Sequence, residues 1–358
     1  MTNGSKLRVG FIGAGSVASR IHLPGFRMCP NAEPVAVADP NQDAARAMGL
    51  EAEYSDYRDV LKRDDVDAVV IATPNNAHRE ITLAAVEAGK HVLCEKPLAL
   101  SAGDAEEMLR AAEAAGKVHM AAFTYEFIPA VRYLKHLIDA GELGEVRSVR
   151  SAYMMGLSKH VLGWRSSAAL AGSGVLGDIG SHLIHIVDWF AGDIARLNAI
   201  SRRYVGGGSD VDDWFGLLAE FANGGVCTME FSRISPGNGA DITENMFIEV
   251  YGSKGGAIMS MQDPWGLRLV IGERGTDATQ LFERVDVPAE FLRTPESARD
   301  VREGEKRWSY RFDQAFWFTE SVRRGESRTP SFADGVRVQK VLDAALRSAE
   351  SGAWTTVS

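Results

Sequence analysis

A chain of 358 residues is too long for one small hydrophobic core and predicts two domains. Its composition, 45% hydrophobic and 24% charged, is that of an ordinary soluble globular protein. A formal net charge of −9 with no cluster of Lys and Arg argues against a nucleic-acid surface. The N-terminal stretch MTNGSKLRVGF has no basic segment leading into a long apolar one, and no unbroken run of about 18 apolar residues follows. A cytoplasmic protein with no membrane partner is expected. Cys29, Cys94 and Cys227 are odd in number and far apart, which suggests neither a disulfide framework nor a CxxC metal site.

In the first third, LRVGFIG, EPVAVAD, VDAVVIAT, KHVLCEK and KVHMAAF are predicted strands. The helical stretches NAHREITLAAVEAGK and SAGDAEEMLRAAEAAGK lie among them, each closed by a Gly-Lys pair suited to a C-cap. This alternation predicts a Rossmann-type, doubly wound parallel sheet over residues 1–124. After about Tyr125 the rhythm changes. A helix, IPAVRYLKHLIDAGELG, leads into EVRSVRSAYM, WFGLLAEFANGGVCTMEFS and NMFIEVYGSKGGAIMSM, whose glycine-rich turns predict antiparallel hairpins. Residues 125–358 are thus expected to form an α+β domain with a mainly antiparallel sheet and a terminal helix near 333–351.

Three sites stand out for their chemistry. In GFIGAGSVASR, Gly13, Gly15 and Ala18 fit G-x-G-x-x-A between a predicted strand and a predicted helix, with Ser16 and Val17 in the same turn. Such glycines let a backbone approach a pyrophosphate, although a tight turn with no ligand explains the pattern equally well. Asp39 ends the next strand, where a carboxylate accepts hydrogen bonds from an adenosine ribose and repels a 2′-phosphate, so NAD is favoured over NADP. In CEKPLAL, Lys96 follows a strand of the sheet and could hydrogen-bond a substrate hydroxyl; a surface lysine at a turn is the simpler reading of those letters alone.

The third is GVLGDIGSHLIHIVDWF. At about 100° per residue, Asp178, His182, His185 and Trp189 share one stripe, while Ile179, Leu183, Ile186, Val187 and Phe190 point elsewhere. Asp188 falls off the stripe. A carboxylate one turn from an imidazole suits proton transfer near neutral pH, and a satisfied core histidine is the competing explanation. Asp, His and His on one face could also hold a metal, but with no second ligand cluster none is expected.

The set GFIGAGSVA, VAVADP, ATPNNAH, CEKPLAL, FTYEFIPAV, GWRSSAALAGSGVLGDIGSHLIHIVDWFAG and PSFADGVRVQKVLDAALRSAESGAW resembles the Gfo/Idh/MocA oxidoreductases across almost the whole chain. The resemblance implies a Rossmann domain followed by an α/β domain whose open sheet serves as an oligomer interface. It assigns the family's EKP lysine to Lys96 and its D-x-x-x-H pair to Asp178 and His182. It also places Thr73, Pro74, Asn76, His78 and Glu95 along the cofactor, and lets Trp164 and Arg165 reach nicotinamide or substrate. Tyr125 of FTYEFIPAV and His185 join Lys96, Arg165, Asp178 and His182 as expected substrate contacts. Two departures bear on the substrate pocket: His185 stands where many relatives carry Asp, and Glu126 where many carry Arg.

Together these features predict an NAD-dependent oxidoreductase that passes hydride between nicotinamide and a secondary hydroxyl of a sugar, glycoside or cyclitol. His182 would take the proton, Asp178 orient it, and Lys96 polarise the oxygen. Transient sugar oxidation by retained NAD, serving an elimination, uses the same residues. A non-catalytic dinucleotide sensor is disfavoured by the presence of Lys96, Asp178 and His182. A homodimer or homotetramer is expected.

Overall fold

The β-branched runs of the first third form strands. In the computed structural model, which describes residues 5–156, 163–206, 208–236, 245–271, 281–293, 299–303 and 309–358, they are β1 (Leu7–Ile12), β2 (Ala32–Ala38), β4 (Ala68–Ile71), β5 (His91–Cys94) and β6 (His119–Ala121). A sixth strand, β3 (Ala52–Tyr54), has three residues, too few to leave a periodic signal in the sequence. All six pair in parallel in the order β3-β2-β1-β4-β5-β6, so the strand order reverses between β1 and β4. The helices His78–Glu87 and Ala102–Ala114 lie between strands, and each runs out just before a glycine with positive φ, Gly89 at 77° and Gly116 at 61°.

The chain divides into two compact units, Met1–Phe127 with Arg293–Val336, and Ile128–Leu292 with Arg337–Ser358. The late segment joins the first unit for a packing reason. The helix Asp313–Arg324 puts Ala315, Phe316, Phe318 and Val322 into the buried cluster that contains Leu7, Val9, Phe11 and Phe26. The Phe26 ring stands edge-on to Phe11 at 6.0 Å and to Phe318 at 6.3 Å between centroids. Gly25, in the short helix Leu23–Met28, lets that helix touch the start of Asp313–Arg324, since a Cβ there would lie 2.9 Å from the Phe312 carbonyl oxygen.

The second unit is built on a nine-stranded sheet. Its strands are β7 (Val146–Met154), β8 (Ile194–Arg202), β9 (Trp214–Phe221), β10 (Val226–Ser232), β11 (Met246–Gly252), β12 (Gly255–Ser260), β13 (Asp263–Ile271), β14 (Glu283–Asp286) and β15 (Thr355–Thr356). The order is β14-β13-β12-β11-β7-β10-β9-β8-β15. The Asn223-Gly224-Gly225 turn closes the β9–β10 hairpin and the Ser253-Lys254 turn closes β11–β12. Pairing is antiparallel except between β7 and β10, which run parallel. Phe215, Leu217, Ala219 and Phe221 of β9 are buried, and Leu218 between them is exposed, as a sheet with one covered face requires. The helix Ser181–Ala191 lies against β7, and Pro129–Asp139 against β12 and β13. Among the described residues, the helical run Ala168–Ala191 is long and apolar enough to cross a membrane, yet 83% of its apolar window is buried inside the protein, as in a core helix.

Two histidines of the parallel sheet are held neutral. His119 stacks on Phe332 at 4.9 Å, its Nδ1 accepts the Phe332 N–H at 3.1 Å, and burial pushes its pKa down to about 4. Burial likewise brings His91 to about 4, with its Nδ1 accepting from the Val118 N–H. A histidine in the unfolded chain protonates near 6.5, so the stability linked to these groups is complete above that pH and is lost as pH falls from about 6.5 to 4. For His119 the gap corresponds to about 3 kcal/mol. The melting temperature should therefore fall steeply between pH 7 and 4.5. In His119→Asn, which keeps an acceptor for Phe332, calorimetry should show a flatter profile; an unchanged slope would remove His119 as a cause.

Candidate active site

The nucleotide-binding features gather where the parallel sheet reverses its strand order. Gly13, directly after β1, has φ 96°, and a Cβ on it would lie 2.4 Å from the Ala72 carbonyl oxygen that follows β4. Only glycine fits there. Gly15 meets the opposite condition: nothing lies within 4 Å of where its Cβ would be, and Gly15 and Ser16 are exposed, with Val17 half-buried beside them. Asp39, at the end of β2, ties the turn down. One carboxylate oxygen accepts the Ala14 N–H at 2.7 Å and the other accepts the Asn41 N–H at 2.7 Å.

After β4, Thr73 and Pro74 are half-buried and Asn76 is exposed. The Thr73 hydroxyl oxygen is buried without a hydrogen-bond partner, an unfilled polar position beside the glycine turn. With the open approach at Gly15 and the acceptor at Asp39, it makes this edge fit a dinucleotide. His78 is fully buried with Nδ1 3.0 Å from the Pro97 oxygen and Nε2 3.1 Å from the Thr73 oxygen. Burial pushes its pKa down, so the neutral ring donates to one carbonyl at a time and clamps the Thr73 turn to the segment after β5.

That segment carries Glu95, buried, and Lys96, half-buried, the latter joined to Pro97 by a cis peptide bond. Tyr125 is buried in the short turn Thr124–Phe127, its ring edge-on to Tyr310 at 6.3 Å. Glu126 in the same turn accepts from the Thr329 hydroxyl at 3.1 Å.

In the second unit, Trp164 and Arg165 sit in a single turn, Trp164–Ser166, with the guanidinium 4.2 Å from the indole centroid. Arg165 Nε is 3.6 Å from an Asp178 carboxylate oxygen, so these three predicted residues come together. Asp178 belongs to a π-turn, Leu176–Gly180, that runs into the α-helix Ser181–Ala191. The even spacing expected from Gly174 to Phe190 therefore holds only from Ser181 on. Gly180 packs directly on β10, where a Cβ would meet the Phe231 ring at 2.8 Å. Wide turns of this kind recur at functional sites. His182 and His185 follow on the α-helical part and are both buried. Asp188 is used elsewhere: it accepts from Arg337 Nε at 2.9 Å, while burial raises its pKa against that partner's charge.

Asp212 escaped the sequence reading. Its carboxylate accepts the Gly174 N–H at 2.6 Å and the Leu176 N–H at 2.7 Å, and its carbonyl accepts the Val175 N–H at 3.0 Å. One residue thus takes three consecutive donors at the start of the helix that carries Asp178 and His182. Gly174 is pressed so closely that a Cβ would lie 2.0 Å from the Asp212 oxygen. Burial raises the Asp212 pKa, opposed by the Leu176 and Gly174 hydrogen bonds. Its neighbour Asp213 pairs with Arg233 at 2.6 Å and accepts from the Tyr204 and Val205 N–H groups. The only trace in the sequence is the doublet VDDW before a strand, whose partner lies 38 residues back.

Residues 7–123 match the family model described as an oxidoreductase family with an NAD-binding Rossmann fold, and residues 131–258 match the GFO/IDH/MocA C-terminal domain. Over 390 aligned positions covering 98% of both chains, the sequence is 31% identical to levoglucosan dehydrogenase of Pseudarthrobacter phenanthrenivorans. It is 29% identical to glucose-6-phosphate 3-dehydrogenase of Bacillus subtilis over 94% of each chain. Among solved structures, levoglucosan dehydrogenase in complex with NADH and levoglucosan superposes with a TM-score of 0.88 at 31% identity, over 99% of this chain and 100% of that one. The nucleotide crevice and the two-sheet architecture agree with these likenesses, and the chain belongs to the Gfo/Idh/MocA family of NAD-dependent oxidoreductases acting on CH–OH groups.

Proposed function

We propose that the protein is a dehydrogenase that interconverts a secondary hydroxyl and the corresponding ketone of a sugar, glycoside or cyclitol. The observation that carries this reading is a buried imidazole, His182, on the helix that directly follows Asp178, in a chain similar over nearly its full length to sugar dehydrogenases. When bound, NAD supplies the two-electron acceptor of the oxidation. His182 takes the proton of the reacting hydroxyl, Asp178 sets its orientation, and Lys96 hydrogen-bonds the oxygen. In the reducing direction the same groups return the proton. Trp164, Arg165 and Tyr125 bound the substrate or cofactor, and His185 bears on substrate choice. Asp212 supports this machinery from behind by seating the first turn of the helix.

Cys29, Cys94 and Cys227 are buried free thiols, which suits a reducing cytoplasm. The exposed face of the nine-stranded sheet carries Ile200, Leu218, Val226 and Tyr251, beside a hollow of about 330 Å³ lined by Met154, Trp214 and Phe247. A patch of this kind is rarely left bare, and a homodimer or homotetramer through the sheet would cover it.

Incubation of the purified protein with NAD and a panel of sugars and cyclitols should give net NADH accumulation with at least one of them; product without accumulation would sink the dehydrogenase reading. On that substrate, His182→Ala should lower kcat by about 10²- to 10⁴-fold, with NAD affinity by titration nearly unchanged. His185→Ala should raise KM more than it lowers kcat. The reverse pattern would move the base to His185. Asp212→Asn, which sets an amide donor against a backbone N–H, should cost about 1–3 kcal/mol of stability in thermal denaturation. It should also lower kcat without weakening NAD binding. Light scattering should return a multiple of 38.8 kDa at micromolar concentration, and a monomer mass would overturn the assembly.

A further inference from the structure

His22 and Glu95 form a buried pair, with Nε2 2.7 Å from Oε1 and residue exposures of 3% and 8%. His22 is the last residue of the π-turn Ala18–His22 that follows the glycine turn, and Glu95 stands between β5 and Lys96. The bond thus joins two elements 73 residues apart: the helix that opens at the glycine turn, and the strand end that bears the lysine.

A carboxylate this deep is costly unless its charge is matched. Burial pushes the Glu95 carboxyl up, but the hydrogen bond from His22, with the charges of Lys96 and Arg311, outweighs it and holds the pKa at about 2. Each partner has its own anchor. The second carboxylate oxygen accepts the Lys96 backbone N–H at 3.2 Å. Arg311, in the turn Ser309–Phe312, donates from Nε to the Thr124 hydroxyl at 3.1 Å. Gly25, three residues after His22, is backed by Phe312 and Ala315, so the helix that presents His22 is fixed from its outer side as well. Glu95 therefore sits at the centre of a rigid frame, one oxygen given to His22 and the other to the backbone of Lys96.

We propose that His22 is a positioning residue for NAD: its bond to Oε1 orients Glu95 and, through Oε2, the Lys96 backbone, so that the crevice wall after β5 is assembled before the cofactor arrives. Without that bond, NAD has to order the segment itself, and the ordering cost appears as lost affinity.

The test uses the two neutral amides that copy one ring nitrogen each. In His22→Gln the side-chain amide reaches the place of Nε2 and can still donate to Glu95; in His22→Asn it reaches only the place of Nδ1. NAD binding to the full chain is measured by calorimetry without sugar, alongside the melting temperature and, on any sugar that is turned over, the separate KM values. His22→Asn should weaken NAD about tenfold, a loss of about 1.4 kcal/mol, while His22→Gln stays within about threefold of the unmodified protein. The KM for NAD should follow the affinity, and the KM for sugar should not. Equal affinities for the Asn and Gln variants, or a fall in melting temperature with NAD affinity intact, would reduce the pair to a structural role and overturn the proposal. Should His22→Asn fail to fold, His22→Leu, which fills much of the ring's volume and donates nothing to Glu95, takes its place, and NAD affinity unchanged in that variant would have the same consequence. Because binding is measured without sugar, a failure here is separate from a failure to find a sugar substrate.

Discussion

Two backbones meet at the end of β1 and β4, and the nucleotide site depends on that meeting. The Gly13 N–H donates to the Ala38 oxygen at the end of β2 and the Ala72 N–H to the Ile12 oxygen, both at 2.8 Å; the second bond brings the chain after β4 against the end of β1. With 2.4 Å between a would-be Cβ on Gly13 and the Ala72 oxygen, any side chain would push the two strand ends apart. Asp39 could then no longer reach the Ala14 N–H, and Thr73 would leave the turn it shares with His78. The reversal of strand order decides where a ligand enters, and the missing side chain at Gly13 allows the edge to close tightly around it.

Buried carboxylates do much of the remaining organisation, each in the same way. Glu95, Asp212 and Asp213 are taken out of water, and each is surrounded by oriented donors: an imidazole and a backbone N–H for the first, three consecutive N–H groups for the second residue, a guanidinium and two N–H groups for the third. An anion held in this manner fixes the geometry of everything that donates to it, because withdrawing a donor leaves charge unmatched in a medium that cannot screen it. Hence the backbone of Lys96 and the helix start at Gly174–Leu176, just ahead of Asp178 and His182, are each tied to a buried carboxylate.

The helix of the second unit shows the compromise between packing and chemistry. Its α-helical part buries Leu183, Ile184, Ile186 and Val187 together with His182 and His185, so imidazoles occupy positions that packing alone would give to aliphatic side chains. Ahead of it the π-turn departs from regular spacing just where Asp178 stands, turning that carboxylate to Arg165 and its underlying indole. Asp188, on the same helix, is taken up by Arg337.

The sequence alone determined whatever depends on short range. Alternation of strands and helices, the glycines at positions 13 and 15, the Gly caps at 89 and 116, and the hairpin turns are set by local backbone preference and by periods of 2 and 3.6, so they are legible in the order of residues itself. The candidate residues were legible as chemical types in context: Asp39 at a strand end, Lys96 after another, Asp178 and His182 on one helical run. What the tertiary structure decided involves partners far apart in the chain. The return of Asp313–Arg324 to the first unit, the parallel β7–β10 pair, the grip of Asp212 on Gly174–Leu176 and the bond between His22 and Glu95 join residues dozens to hundreds of positions apart. None leaves a periodic trace, because each is selected by shape and charge matching in the folded core rather than by the preferences of neighbouring residues. The three-residue strand β3 and the π-turn at Asp178 escaped for a related reason: in elements this short, packing against β2 and Phe231 outweighs local propensity.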